Sequence, residues 1–278
     1  PPSIIMIVYG VAADVSIAQL FIAGIVPGLL LAGLFSGYLV LWSLLHPGAI
    51  PAADATLTLR QKLSEARHLI PVVGLIAAVL GSIYSGLATA TEAAAVGLVC
   101  ALLLSALQGS LSWASFREAL LGGTRTYCMI ALILAGAAFL TLAMGYIGLP
   151  RHLAEWIGSL GLAQWQLILA LMLFFVVLGC FLDGISMVVL TMGVLLPTIQ
   201  KAGIDPLWFG IFVVLVVEMA QITPPVGFNL FVLQGMTGRE VSWIARVTLP
   251  FFFVMLLAVG LIYIVPDLVT WLPARMRG

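Results

Sequence analysis

The sequence predicts an all-α integral membrane protein, and three observations carry that prediction. Of 278 residues, 63% are hydrophobic and only 8% charged, about a third of the charge that a water-facing surface normally needs. Apolar runs of spanning length alternate with short polar connections along the chain. The runs are continuous and do not alternate with period two, which selects helices over a barrel. A soluble enzyme, a disordered chain and a secreted disulfide scaffold are excluded. The 11 basic and 11 acidic side chains cancel, so no nucleic-acid partner is implied. Cys100, Cys128 and Cys180 lie singly inside apolar runs, without metal-ligand spacing, and read as buried, inert thiols.

The elements follow in order. Pro1-Pro2-Ser3 has no initiator Met, charged n-region or cleavage site, and the chain opens inside an apolar segment; it reads as the C-terminal portion of something longer. The first span runs from Ile17 to Leu45, followed by a polar stretch from His46 to His68. Apolar sequence from Leu69 to Leu107 is about twice one crossing and reads as two helices joined by a short turn. Gln108 to Arg125 is a polar connection with the character of a short surface helix, and Thr126 to Leu149 is the next span. From Gln166 to Gly235 the pattern changes. Asp183-Gly184-Ile185-Ser186 interrupts one apolar run, which predicts a re-entrant hairpin of two half-helices with its tip at Leu182 to Ser186. A second run breaks at Ile222-Thr223-Pro224-Pro225-Val226-Gly227, where two prolines remove backbone donors and disfavour helix before them. Broken backbone at membrane depth is tolerated where it lines a cavity or is buried in protein. The last span is Val247 to Leu272. Arg60, Lys62, Arg67, Arg117, Arg125, Arg239 and Arg246 fall on one side of this topology. Arg151, Lys201, Arg275 and Arg277 fall on the other, which puts the first loop in the cytoplasm.

An internal echo organises these spans. Pro1-Pro2 and Pro224-Pro225 are each followed by an apolar stretch ending in Gly (Gly10 and Gly235), then Val-Ser (Val15-Ser16 and Val241-Ser242), then a span with an early proline (Pro27 and Pro250). The two copies leave the bilayer in opposite directions. That is an inverted repeat with a broken helix in each half, the layout of secondary transporters with a midplane site. Residues 1–14 then end the first-repeat broken helix, and 15–68 form a scaffold helix and cytoplasmic connection. Residues 69–165 hold second-repeat helices and connections, 166–236 the transport-domain hairpin and broken helix, and 237–278 the final span and C-terminus.

Several motifs carry a resemblance. Gly179-Cys180-Phe181-Leu182-Asp183 with Leu196-Pro197, Gly203-Ile204-Asp205-Pro206-Leu207-Trp208-Phe209-Gly210, and Ile222-Thr223-Pro224-Pro225-Val226-Gly227-Phe228-Asn229-Leu230-Phe231 resemble the large membrane (M) subunit of tripartite ATP-independent periplasmic (TRAP) transporters. Ala90-Thr91-Glu92-Ala93-Ala94-Ala95-Val96 is similar to the family's Thr-Pro-Thr-Glu-Ala-Ala element, with Ala90 where Pro is usual. Pro1-Pro2-Ser3-Ile4 with Tyr9-Gly10 resembles the end of its first half, and Gly184 stands where the family often has Pro. The resemblance implies an elevator-type transporter of the bacterial inner membrane, taking up an organic acid such as a dicarboxylate or sialic acid. Na+ would be the coupling ion, with no organic cofactor. It also implies a small membrane (Q) subunit, a periplasmic substrate-binding protein and the N-terminal remainder of the same subunit as partners, within the lipid bilayer.

Sodium is a hard cation that takes oxygen ligands, and unwound backbone supplies carbonyls without burying a full charge. Gln221, Ile222 and Thr223 offer such carbonyls before Pro224 and Pro225, Thr223 adds a hydroxyl, and Gly227 permits close approach. Asp183, with Gly184 at the hairpin tip, either helps hold the ion or substrate or caps the return arm. The expected sodium site is therefore Asp183, Gly184, Gln221, Ile222, Thr223, Pro225 and Gly227. Half-helix N-termini would hold a substrate carboxylate, with Ser3, Ser186 and Asn229 adding side-chain hydrogen bonds. Glu92, after Thr89 and Thr91, reads as a capping acid. Glu218 either pairs with a polar neighbour or sits at a domain boundary. Three other functions compete: a membrane enzyme, which would need facing aspartates or a Ser–His pair absent from these spans; a channel, which would need a continuous polar stripe; and a similar transporter working without a binding protein.

Overall fold

The computed structural model describes residues 3–49, 58, 61, 66–224 and 227–275. The prolines at 1, 2 and 225 lie outside the described residues. Every regular element among those described is helical. The helices are α1 (Ile4–Ala13), α2 (Ile17–Ala23), α3 (Ile25–Leu45), α4 (Ile70–Tyr84), α5 (Ala90–Leu107), α6 (Trp113–Ile147) and α7 (Leu149–Ser159). They continue with α8 (Gln164–Gly179), α9 (Gly184–Lys201), α10 (Pro206–Gln221), α11 (Phe228–Thr237), α12 (Val241–Ile264) and α13 (Asp267–Arg275). Five stretches among the described residues are long and apolar enough to cross a membrane: Ile17–Leu45, Ala90–Leu107, Trp113–Ile147, Gly184–Lys201 and Val241–Ile264. The chain is a multi-span α-helical membrane protein.

Two compact units form, Tyr38–Tyr127 and a second made of Pro1–Gly37 with Cys128–Gly278. In the first, α4 and α5 pack together, with Gly97 set against Val79. Their turn ends in a capping box: Thr89 Oγ1 accepts from Glu92 N at 3.3 Å, and Glu92 Oε2 accepts from Thr89 N at 2.8 Å. Glu92 is thus bound to its own helix start, as its position after Thr89 suggests.

The core of the second unit is α10. Asp205 begins it by accepting from Leu207 N at 2.8 Å, with Pro206 at the first helical position, where a missing N–H costs nothing. Only Pro206, Val214 and Glu218 of its sixteen residues are partly exposed. A helix buried all round must be covered on every side, and α1, α2, α8, α9 and α12 pack on it. Two buried polar groups tie the coat down. Tyr9 Oη donates to the Pro206 carbonyl at 2.7 Å, and Trp208 Nε1 to the Ile262 carbonyl at 3.0 Å. Gly210 lets Tyr9 and Leu20 close in, since a Cβ there would lie 2.6 Å from the Tyr9 ring.

The elements depart from their expected bounds in three places, and the cysteines from their expected burial. The polar connection Gln108–Arg125 and the span after it merge from Trp113 into one helix, α6, because nothing stops a helix before Gly148, which ends it at φ +76°; Gly122-Gly123 weakens it without ending it. The hairpin tip is Cys180–Asp183, not Leu182–Ser186. Asp183 accepts from Ile185 N and Ser186 N at 3.0 and 3.2 Å, so Gly184 to Ser186 become the first turn of α9. The last span ends at Ile264, ahead of Pro266, which disfavours helix at Val265. Cys128 is exposed and Cys100 half-exposed; only Cys180 is buried. An apolar run in a membrane protein faces lipid as readily as core, so hydropathy does not place a thiol.

Candidate functional site

Three helix N-termini meet around one cavity of about 690 Å³. Ser3, Ile4 and Ile5 come from the start of α1; Asp183, Gly184 and Ile185 from the start of α9; Asn229 from the first turn of α11. Glu218 and Gln221 from the end of α10, with Met129 and Ile133 of α6, complete the lining. The break makes this possible. At Ile222 the backbone leaves helical angles (φ −103°, ψ 10°), Pro224 offers no N–H to continue the ladder, and Gly227 turns the chain at φ +49°. The chain then starts α11, so that Asn229 returns to Glu218, eleven residues behind it. Asn229 and Glu218 thus line the same cavity.

The expected site residues fall into two groups. Ser3, Asp183, Gly184, Gln221 and Asn229 share the cavity. Asp183 is there as the cap of α9, and Ser3 begins α1 without a side-chain cap bond. Ser186 lies within α9 and does not line the cavity. Thr191 bonds back to the Met187 carbonyl at 2.8 Å, as membrane-helix threonines usually do.

Ile222, Thr223 and Gly227 form the second group, at the break itself; Pro225 lies outside the described residues. The carbonyl oxygens of Thr223 and Gln221 converge on Gly227, 2.9 and 3.1 Å from the point a Cβ there would occupy. The Thr223 hydroxyl donates to the Met219 carbonyl at 2.9 Å, which leaves its oxygen lone pairs as acceptors.

Two contributors were not assigned a site role from the sequence. Glu218 is one. It shares the cavity with Asn229, which follows a helix break, and no helical period connects residues 218 and 229. Cys180 is the other: its one S–H lies between the Pro224 carbonyl at 3.2 Å and the Val176 carbonyl at 3.3 Å and is shared by them, tying the hairpin tip to the break. Gly179 leaves room for the same approach, since a Cβ there would collide with Ala220 and lie 2.8 Å from Met187 Cε.

Helix N-termini gathered on a cavity beside an unwound segment, in an all-helical membrane protein, are the build of a secondary-transporter membrane domain. A family model described as "Tripartite ATP-independent periplasmic transporter, DctM component" matches residues 1–268. The C4-dicarboxylate TRAP transporter large permease protein DctM of Pseudomonas aeruginosa is 32% identical over 274 residues, which cover 98% of this chain and 64% of that protein. The ectoine/5-hydroxyectoine TRAP transporter large permease protein UehC of Ruegeria pomeroyi is 32% identical, covering 95% of this chain and 61% of that protein. The isethionate TRAP transporter permease protein DctMQ of Oleidesulfovibrio alaskensis is also 32% identical, over 92% of this chain and 40% of that protein. This chain belongs to the DctM family of TRAP transporters. It spans somewhat less than two thirds of the length of DctM and UehC and 40% of that of DctMQ.

Proposed function

We propose that this chain supplies the core of a sodium-coupled transporter for a small organic acid, working by alternating access of an elevator type in the bacterial inner membrane. The observation that supports it best is the convergence of three helix N-termini on one cavity. The starts of α1 and α11 carry no side-chain cap and present free amides, and all three N-termini bring the positive end of a helix dipole, so together they favour a carboxylate. The carbonyls of Gln221 and Thr223 turned toward Gly227 support a neighbouring seat for the cation, since a hard ion takes oxygen ligands. Coupling would follow from adjacency: Gln221 contributes to both seats, so filling one orders the other. The partners are a small membrane subunit, a periplasmic binding protein that delivers the acid, and the remaining part of the same large subunit.

The test is uptake by the complete large permease, reconstituted in proteoliposomes with its small subunit and binding protein. An inward sodium gradient should drive accumulation of a labelled organic acid, and potassium in its place should not. Equal uptake with potassium would remove sodium from the mechanism.

A further inference from the structure

The hairpin tip and the helix break meet at one backbone carbonyl. The Pro224 carbonyl receives no backbone N–H among the described residues, and the next residue, a second proline, has none to offer. The Cys180 thiol, 3.2 Å away, is the donor that reaches it. A buried cysteine ordinarily serves as a small apolar filler. This one is aimed: its S–H is shared with the Val176 carbonyl of its own helix at 3.3 Å, which fixes the side chain beside the break. Glycines bring the backbones close on both sides of the contact. Gly179 lets Ala220 in, and Gly184 leaves room for the Gln221 carboxamide, whose Nε2 lies 2.7 Å from where a Cβ would be.

The held carbonyl is one residue away from the Thr223 carbonyl, which turns toward Gly227. Little freedom separates the two. The peptide between Thr223 and Pro224 is planar and the proline ring locks φ, so Pro224 ψ is the one soft torsion between them. On its other side Thr223 is anchored to α10: its N–H donates to the Ala220 carbonyl at 3.0 Å and its hydroxyl to the Met219 carbonyl at 2.9 Å. We propose that Cys180 is a positioning residue for the cation seat. By holding Pro224 it aims the Thr223 carbonyl, so the seat is complete only when the hairpin tip lies against the break. The inference rests on the proposed reading of the Gln221 and Thr223 carbonyls as that seat. Asp183 and Gly184, a few residues beyond Cys180, line the cavity, so the same short tip serves both seats. Linkage makes the effect reciprocal: a seated tip favours sodium, and sodium favours a seated tip by the same factor.

The experiment measures thermal stabilisation of the complete large permease across a sodium dose series, with potassium keeping the ionic strength constant. Cys180→Ala should raise the sodium concentration for half-maximal stabilisation by about threefold, the factor expected of one weak hydrogen bond. Cys180→Val refills the space without a donor. It should regain melting temperature measured without sodium and leave the sodium midpoint as high as in Cys180→Ala. In the unaltered protein, the infrared S–H stretching band that Cys180→Ala removes should move to lower frequency when sodium is added. A sodium midpoint unmoved in Cys180→Ala, a midpoint restored by Cys180→Val, or an S–H band indifferent to sodium would overturn the inference and leave the sodium seat standing. Equal stabilisation of the unaltered protein by potassium would overturn the seat and the inference together.

Discussion

At the residue scale, Gly227 is held to its identity by two constraints. Its φ of +49° lies in the left-handed region, which costs roughly 1–2 kcal/mol for a residue with a Cβ. Its missing side chain also marks the place toward which the Gln221 and Thr223 carbonyls turn. Gly227→Ala therefore puts a methyl where the cation is proposed to sit. The variant should melt slightly lower without sodium and gain almost nothing when sodium is added. A ligand at 100 times its dissociation constant is worth about 2.7 kcal/mol, so the lost shift is large enough to read. A full sodium shift in Gly227→Ala would move the ion elsewhere. Asp183 shows how one residue answers two chemistries: its oxygen Oδ2 caps α9, and its side chain also lines the cavity.

At the element scale, the break between α10 and α11 positions the site. Pro224 and Pro225 keep backbone donors out of that stretch, and Ala is favoured over Pro by about 3 kcal/mol at a helix-interior position. Replacing both with Ala lets α10 and α11 grow toward each other and satisfy the Gln221 and Thr223 carbonyls internally. Circular dichroism should show equal or greater helicity, while the sodium-dependent thermal shift falls away. Unaltered sodium dependence in that variant would make the break a packing kink. The Cys180 thiol contacts the Pro224 carbonyl across 44 positions of chain, so the hairpin tip and the break form one structural unit. The Gly179–Ala220 approach beside it acts in the same direction: small residues let backbones close in where lipid provides no hydrophobic drive.

At the scale of the whole molecule, α10 is the column against which its unit is assembled. Tyr9 joins α1 to the start of that column through its bond to the Pro206 carbonyl. Tyr9→Phe keeps the packing and removes the donor, leaving a carbonyl unpaired in a dry setting. It should cost about 1 kcal/mol and lower the melting temperature by a few degrees. Sodium affinity should change little, because residue 9 is more than a turn away from the cavity rim at Ser3–Ile5. An unchanged melting temperature would mean that the freed Pro206 carbonyl finds another donor.

The sequence by itself determined the class of protein. Scarcity of charge forces a membrane solvent, continuous apolar runs force helices, and Pro-Pro-x-Gly forces a break wherever it occurs; each is a local or compositional constraint. It also placed Ser3, Asp183, Gln221 and Asn229 near helix ends, because helix starts and stops are written in a few adjacent residues. It misplaced the boundaries around α6 and the hairpin tip, where capping and continuity compete within a turn or two. Only the tertiary structure brought Ser3, Asp183, Glu218 and Asn229 to one cavity and joined Cys180 to Pro224. These contacts cross helix breaks and long stretches of chain. No periodicity relates such partners; what brings them together is the burial of α10, and that depends on how all the helices around it fit.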